Sequence, residues 1–259
     1  MPHAAYTDGS VQYEVEGTGP GLALVHGVGG SAEGAFGTVV KVLAEDRTVI
    51  RPNLSGSGET TDRGGPLTLS QLAEQTASVI EDAVDGPVDL LGFSLGGAVA
   101  ATVAAERPDL VNKLILAGSW AYPDPRHRFY FETWAKLLAT DLDLFRRFTT
   151  LTGFSPTAVN SWGHDGLAAS LDNHAWPEAG ISRQIEMGLL SDIRGILPKI
   201  TAPTFIIGFA QDEMIPIEGS RQLHSGIPGS TLTEIEGQGH MDWIGNPNQM
   251  IELVRNFLG

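Results

Sequence analysis

The segment Val88-Asp89-Leu90-Leu91-Gly92-Phe93-Ser94-Leu95-Gly96-Gly97 sets the terms for the rest of the chain. Residues 88–91 are mostly apolar and read as a buried strand, and the alanine- and valine-rich run 98–106 reads as a helix that stops before Pro108. Strand, sharp turn and helix around G-x-S-x-G are the context of a nucleophile elbow. The spacing has a steric cause. A serine on so tight a turn sits in strained backbone geometry, and its neighbours at both ends must lack bulky side chains. Ser94 would then stand at the carboxyl end of the sheet with its hydroxyl free, and the helix start would aim N–H groups at a developing oxyanion. The same residues satisfy G-x-x-x-G, but the charge-free run 90–105 is too short and too broken by small and polar residues for a membrane span.

Towards the amino terminus, residues 6–16 alternate, with Val11, Tyr13 and Val15 on one face and Gln12, Glu14 and Glu16 on the other. That is the pattern of an edge hairpin, closed by Gly17-Thr18-Gly19-Pro20-Gly21. Residues 22–25 form a continuous apolar run suited to a central strand covered on both sides. It leads into His26-Gly27-Val28-Gly29-Gly30, where glycines allow close backbone approach and a free N–H near Val28 would suit an oxyanion hole. A further strand at 48–50, an amphipathic helix over 68–84 and a strand at 111–116 continue the alternation. Such alternation with short links predicts a parallel sheet with right-handed crossovers.

Between 120 and 198 strand-like runs vanish. Residues 129–148 show helical spacing of Phe131, Trp134, Leu138, Leu142 and Phe145, and Trp162 and Trp176 follow among loops rich in Gly, Asn and Asp. The expectation is a helical lid, 120–198, on an α/β core of 1–119 and 199–259. The lid's inner side would form an apolar pocket over Ser94, with His26, Phe93, Phe131, Trp134 and Trp162 as candidate pocket residues. His164, Asp165, Asp172 and His174 fit no tight ligand spacing and read as solvated loop residues, so no metal is expected. Strands resume at 204–208 and 231–235. Each is followed by a loop carrying a reactive type, Asp212 in one and Gly239-His240 in the other, before a closing helix to Leu258 capped around Asn246-Pro247 with Gln249.

Bulk composition bounds the function. The chain has 259 residues, 42% hydrophobic and 18% charged, which suits one large globular domain. A formal net charge of −15 repels phosphate backbones and anionic lipid, which argues against nucleic-acid and membrane partners. No cysteine is present, which excludes thiolate chemistry. Met1-Pro2-His3-Ala4 lacks the basic and apolar segments of a signal peptide, so a cytoplasmic location is expected. A small-molecule substrate is the expected partner, with no cofactor, and homo-oligomerisation is left open.

Taken together, His26-Gly27 after the third strand, the Ser94 elbow, the lid insertion, Asp212 and Gly239-His240 make the chain resemble an α/β-hydrolase. The likeness is to the serine esterase and enol-lactonase branch with a helical lid, over nearly the whole length. It implies a mostly parallel sheet flanked by helices. It also implies Ser94 as nucleophile, His240 as general base and Asp212 as the acid orienting the imidazole, with the N–H groups of Val28 and Leu95 as oxyanion hole. Asp124, after the preceding strand, occupies the alternative acid position that some members use. A serine at the elbow argues against the dehalogenase and epoxide hydrolase branches. Asn53-Leu54-Ser55-Gly56-Ser57-Gly58 departs from the Arg-Gly-His-Gly type common after this strand. The implied reaction is hydrolysis of an ester, lactone or thioester of a medium-sized apolar molecule through an acyl-serine.

Rival readings remain at this level. The same triad serves carbon–carbon bond hydrolases and lyases. Gly27-Val28-Gly29-Gly30-Ser31-Ala32 after a strand also fits a dinucleotide fingerprint, with Arg51 where an NADP-binding oxidoreductase would place a 2′-phosphate contact. A non-catalytic small-molecule receptor would keep the pocket without the reaction.

Overall fold

The structure, a computed structural model, describes residues 1–171, 176–177 and 179–259, apart from the side chain of Thr38. The chain opens with β1 (His3–Tyr6), β2 (Gly9–Glu16) and β3 (Gly21–Val25), then α1 (Gly37–Leu43) and β4 (Thr48–Pro52). It continues through α2 (Leu69–Ala83), β5 (Val88–Phe93), α3 (Leu95–Glu106) and β6 (Val111–Ala117). Among the described residues, four helices follow without an intervening strand: α4 (Pro125–Thr140), α5 (Leu142–Gly153), α6 (Pro156–Ser170) and α7 (Ile181–Leu190). The chain closes with β7 (Thr204–Phe209), α8 (Ile217–Gly226), β8 (Thr231–Ile235), α9 (Asp242–Gly245) and α10 (Asn248–Leu258).

The eight strands form one sheet in the order β1-β2-β4-β3-β5-β6-β7-β8. β1 and β2 are antiparallel to their neighbours, and every pairing from β4 to β8 is parallel. Every residue of β5 and β7 is buried, as strands covered on both faces must be. One core layer joins α2, α3 and α8 to the sheet, and the other joins α1 and α10 through Val39, Val40, Leu43, Met250, Ile251 and Val254. β3 and β5 lie side by side, Val25 opposite Gly92, although the chain leaves β3 for β4 on its other flank. Strand order reverses there, so the carboxyl ends of β3 and β5 open the crevice where α/β folds bind ligands.

Four expectations are corrected. Residues 17–21 do not close a hairpin. β2 pairs with β1 and β4, its turn being Thr7-Asp8, and the glycine-rich segment carries the chain past β4 to β3. Gln12 is not on a solvated face. It is buried, donating to Glu59 and accepting from Asn53 Nδ2 at 2.8 Å, because the loop after β4 folds over it. The helical run 129–148 is two helices, because Asp141 breaks it and caps α5 through Leu144 N–H at 3.0 Å. Trp162 stands on α6 rather than in a loop. Among the described residues no helix is long and apolar enough to cross a membrane.

Candidate active site

Ser94 has φ 56° and ψ −123° and is the only non-glycine residue at positive φ among the described residues. Such a conformation costs about 1–3 kcal/mol and persists only where the surroundings over-determine it. Here they do. Ser94 N–H donates to the Ala117 carbonyl at 2.9 Å, and its carbonyl accepts from Gly97 N–H at 2.9 Å. The first ten residues of α3 are buried against the sheet. A side chain on Gly96 would collide with the carbonyl oxygens of Val25 and His26, so the glycine after the serine is what lets α3 pass β3.

The loop after β3 approaches the elbow closely. A Cβ on Gly27 would lie 2.8 Å from Ser94 Cβ and 3.3 Å from Ser94 Oγ. His26 holds this loop from beneath. Leu54 N–H donates to His26 Nε2 at 3.0 Å, so that nitrogen is unprotonated and the proton sits on Nδ1. Nδ1–H then donates to the Gly27 carbonyl at 2.8 Å, which also accepts from Gly30 N–H at 3.1 Å. With the Gly27 oxygen turned inward, the Val28 N–H of the same trans peptide points the opposite way. Neither Val28 N–H nor Leu95 N–H has a hydrogen-bond partner among the described residues. Complete burial pushes the His26 imidazole down to about 4 and keeps it neutral. His26 is therefore not a pocket residue, as the sequence suggested, but a fully buried support behind the cavity wall.

Asp212 stands three residues past β7 and His240 five past β8. His240 Nδ1 donates to Asp212 Oδ2 at 2.5 Å, and Asp212 Oδ1 accepts from Ile215 N–H at 2.7 Å. Burial pushes the Asp212 carboxyl above its usual range, opposed by His240 and by the amides of Ile215 and Met214. Gly118 leaves room for the imidazole, since a Cβ there would sit 3.3 Å from His240 Cε1, and the Phe93 ring packs on it at 4.7 Å. With Nδ1 engaged, Nε2 is the nitrogen left to exchange a proton. Ser94 and His240 line one cavity, although no hydrogen bond joins them among the described residues. Such bonds commonly tighten only when substrate is bound. Asp124 is elsewhere engaged: its carboxylate caps α4 through His127 N–H at 2.8 Å.

The cavity holds about 730 Å³, within the range of small-molecule sites. Ser94, His240 and Gly27 to Ser31 form its floor, and Tyr130, Phe131, Trp134, Phe154, Trp162 and Trp176 form much of its wall. Phe93, Phe131, Trp134 and Trp162 line this cavity, while Leu95 does not line it and its side chain is buried. Tyr130, Phe154, Met214 and Ile215 also line it and carry no sequence signal beyond being apolar. His164 and Asp165 are exposed on α6, and Asp172 and His174 lie outside the described residues. Arg51 is no phosphate contact. It is buried, pairs with Glu14 at 2.5 Å and with Glu16, and donates to the Ala32 carbonyl at 2.8 Å. The glycine segment before Ala32 does not open a helix as a dinucleotide fingerprint requires, since α1 begins only at Gly37.

A family model described as the alpha/beta hydrolase fold matches residues 20–247. The chain belongs to the α/β-hydrolase family. It is 38% identical to a pyrrolizixenacetamide deacetylase of Xenorhabdus hominickii, over 97% of this chain and 95% of that protein. It is 28% identical to a pimeloyl-[acyl-carrier protein] methyl ester esterase of Xanthomonas campestris pv. campestris, over 95% of this chain and 97% of that protein. Among solved structures, the enol-lactonase of Burkholderia xenovorans LB400 superposes with a TM-score of 0.85, covering 99% of each chain at 20% identity. That last likeness bears on the fold alone, and the relatives include esterase-like members.

Proposed function

We propose that this α/β-hydrolase is a serine hydrolase that removes a short acyl group from a medium-sized apolar, ring-bearing alcohol or amine. The observation that carries the reading is the buried Asp212–His240 pair sharing a cavity with Ser94 on its strained turn. Ser94 Oγ attacks the acyl carbon as His240 Nε2 takes its proton. Asp212 holds the imidazole tautomer and stabilises the cation. The N–H groups of Val28 and Leu95 receive the oxyanion, each worth roughly 3–4 kcal/mol in the transition state. Collapse breaks the bond to the leaving oxygen or nitrogen, which takes the proton from His240. Water, deprotonated by the same imidazole, then releases the carboxylic acid from Ser94.

The aromatic wall supports an apolar leaving group, and the deacetylase and esterase names among the relatives support both amide and ester bonds. Lactones and thioesters share the same chemistry at the carbonyl. The test is a panel of p-nitrophenyl esters, lactones, acyl thioesters and N-acetylated arylamines run beside Ser94→Ala. Turnover in the wild type should fall to background in the variant while its thermal unfolding stays unchanged. Wild-type rates in Ser94→Ala would refute the nucleophile assignment.

A further inference from the structure

We infer that Gln184, on the helical insertion, is a positioning residue for the oxyanion loop. The inference rests on the serine-hydrolase reading above. Gln184 is completely buried on α7 and does not line the cavity, so its effect on substrate is indirect. Its Oε1 accepts from Gly29 N–H at 2.7 Å, and its Nε2 donates to the Ser55 carbonyl and to Ser57 Oγ, both at 3.0 Å. Each end of the amide has a partner of the right type, so its orientation is fixed. Ser57 Oγ in turn donates to the Gly30 carbonyl at 2.6 Å, and Trp176 Nε1 donates to the Gly29 carbonyl at 3.0 Å.

The three peptide groups after Val28 are therefore gripped in turn by side chains from α7, the segment before it and the loop after β4. Val28 N–H belongs to the preceding peptide and shares its α-carbon with the one Gln184 holds. Freeing the Gly29 N–H lets that unit rotate, which draws Gly30 N–H off the Gly27 carbonyl and loosens the Val28 donor of the same peptide. The helix itself is anchored separately. Arg183 pairs with both oxygens of Asp62 at 2.9 and 3.1 Å and donates to the Gly65 carbonyl at 2.7 Å. Neighbouring residues on one helix thus have separable tasks: Arg183 fastens α7 to the core, and Gln184 sets the loop beside Ser94.

Deleting an oxyanion donor costs about 10²–10³ in kcat, and misplacing one should cost less. Gln184→Ala is expected to lower kcat for a p-nitrophenyl ester about 10- to 100-fold with KM changed less than about twofold, and to slow fluorophosphonate labelling of Ser94 by the same factor. Arg183→Ala should keep wild-type kcat and labelling rate. If Gln184→Ala does not fold, Ser57→Ala, outside the cavity wall, removes only the hydroxyl that links Gln184 Nε2 to the Gly30 carbonyl, and its labelling rate should fall instead. Wild-type labelling in the folded variant, a loss confined to KM, or an equal loss in Arg183→Ala would overturn the inference. Failure of the wild-type serine to label at all would overturn the underlying reading instead.

Discussion

His26→Asn separates the support of the loop after β3 from every other titrating group in the protein. In the folded chain the His26 imidazole is pushed down to about 4 by burial, against about 6.5 for a free histidine. Between those values the unfolded chain binds the proton more readily than the folded one. The neutral side chain's stabilising contribution is thus complete above about pH 6.5 and is lost as pH falls towards 4. Near pH 5.5 the difference is nearly one proton, a slope of about 1 kcal/mol per pH unit, or about 2 kcal/mol between pH 7 and pH 5. His127, also pushed down to about 4 by burial, adds a similar loss, so the wild type should weaken by about 4 kcal/mol over that interval from these two groups. Asparagine does not titrate. The His26→Asn protein should be the less stable at pH 7, and its deficit should shrink by about 2 kcal/mol at pH 5. Urea unfolding followed by far-UV circular dichroism at pH 7, 6 and 5 reads that difference, and the other ionisable groups cancel in it. A deficit that stays constant across the three values would mean that His26 is charged or hydrated in the native protein, and the assignment of its tautomer would fall.

Asp212→Asn should reduce kcat on the order of 10⁴-fold, by stabilising the wrong imidazole tautomer, with the unfolding midpoint little changed. Asp124→Asn keeps an oxygen at the cap of α4 and should turn over like the wild type, so equal losses in the two variants would refute the choice of acid. Gly96→Ala forces a methyl group into the carbonyls of Val25 and His26 and should cost about 3 kcal/mol or more, and a wild-type urea midpoint would contradict that packing.

The elbow was legible because its steric demands leave marks in the sequence: glycines on either side of Ser94, an apolar strand before and a small-residue helix after. The loops bearing Asp212 and His240 were legible for a related reason, since each follows a strand, β7 buried throughout and β8 ending on buried Ile235. Sheet order was less so. That β2 lies beside β4 depends on pairings far apart in the chain, which a turn rich in glycine does not encode. The break at Asp141 was masked by the apolar spacing that runs across it. His26 adjoins Gly27 and the glycines after it in sequence, and only the path of the loop after β4 shows that its ring turns beneath them. Gln184 had no motif at all: one amide in an amphipathic helix looks like any other until both of its ends have found partners.

Asp242 shapes what protein engineering can do with this scaffold. Its two carboxylate oxygens accept from Ser155 N–H at 3.0 Å and Gly239 N–H at 2.9 Å, while Met241 N–H donates to the Gly153 carbonyl at 2.7 Å. The α5–α6 junction is stitched to the residues on either side of His240. A chimera that imported another relative's four helices to change specificity would cut those stitches, and rate would fall together with recognition. Retargeting is better begun with single replacements on the aromatic wall, which leave the junction intact.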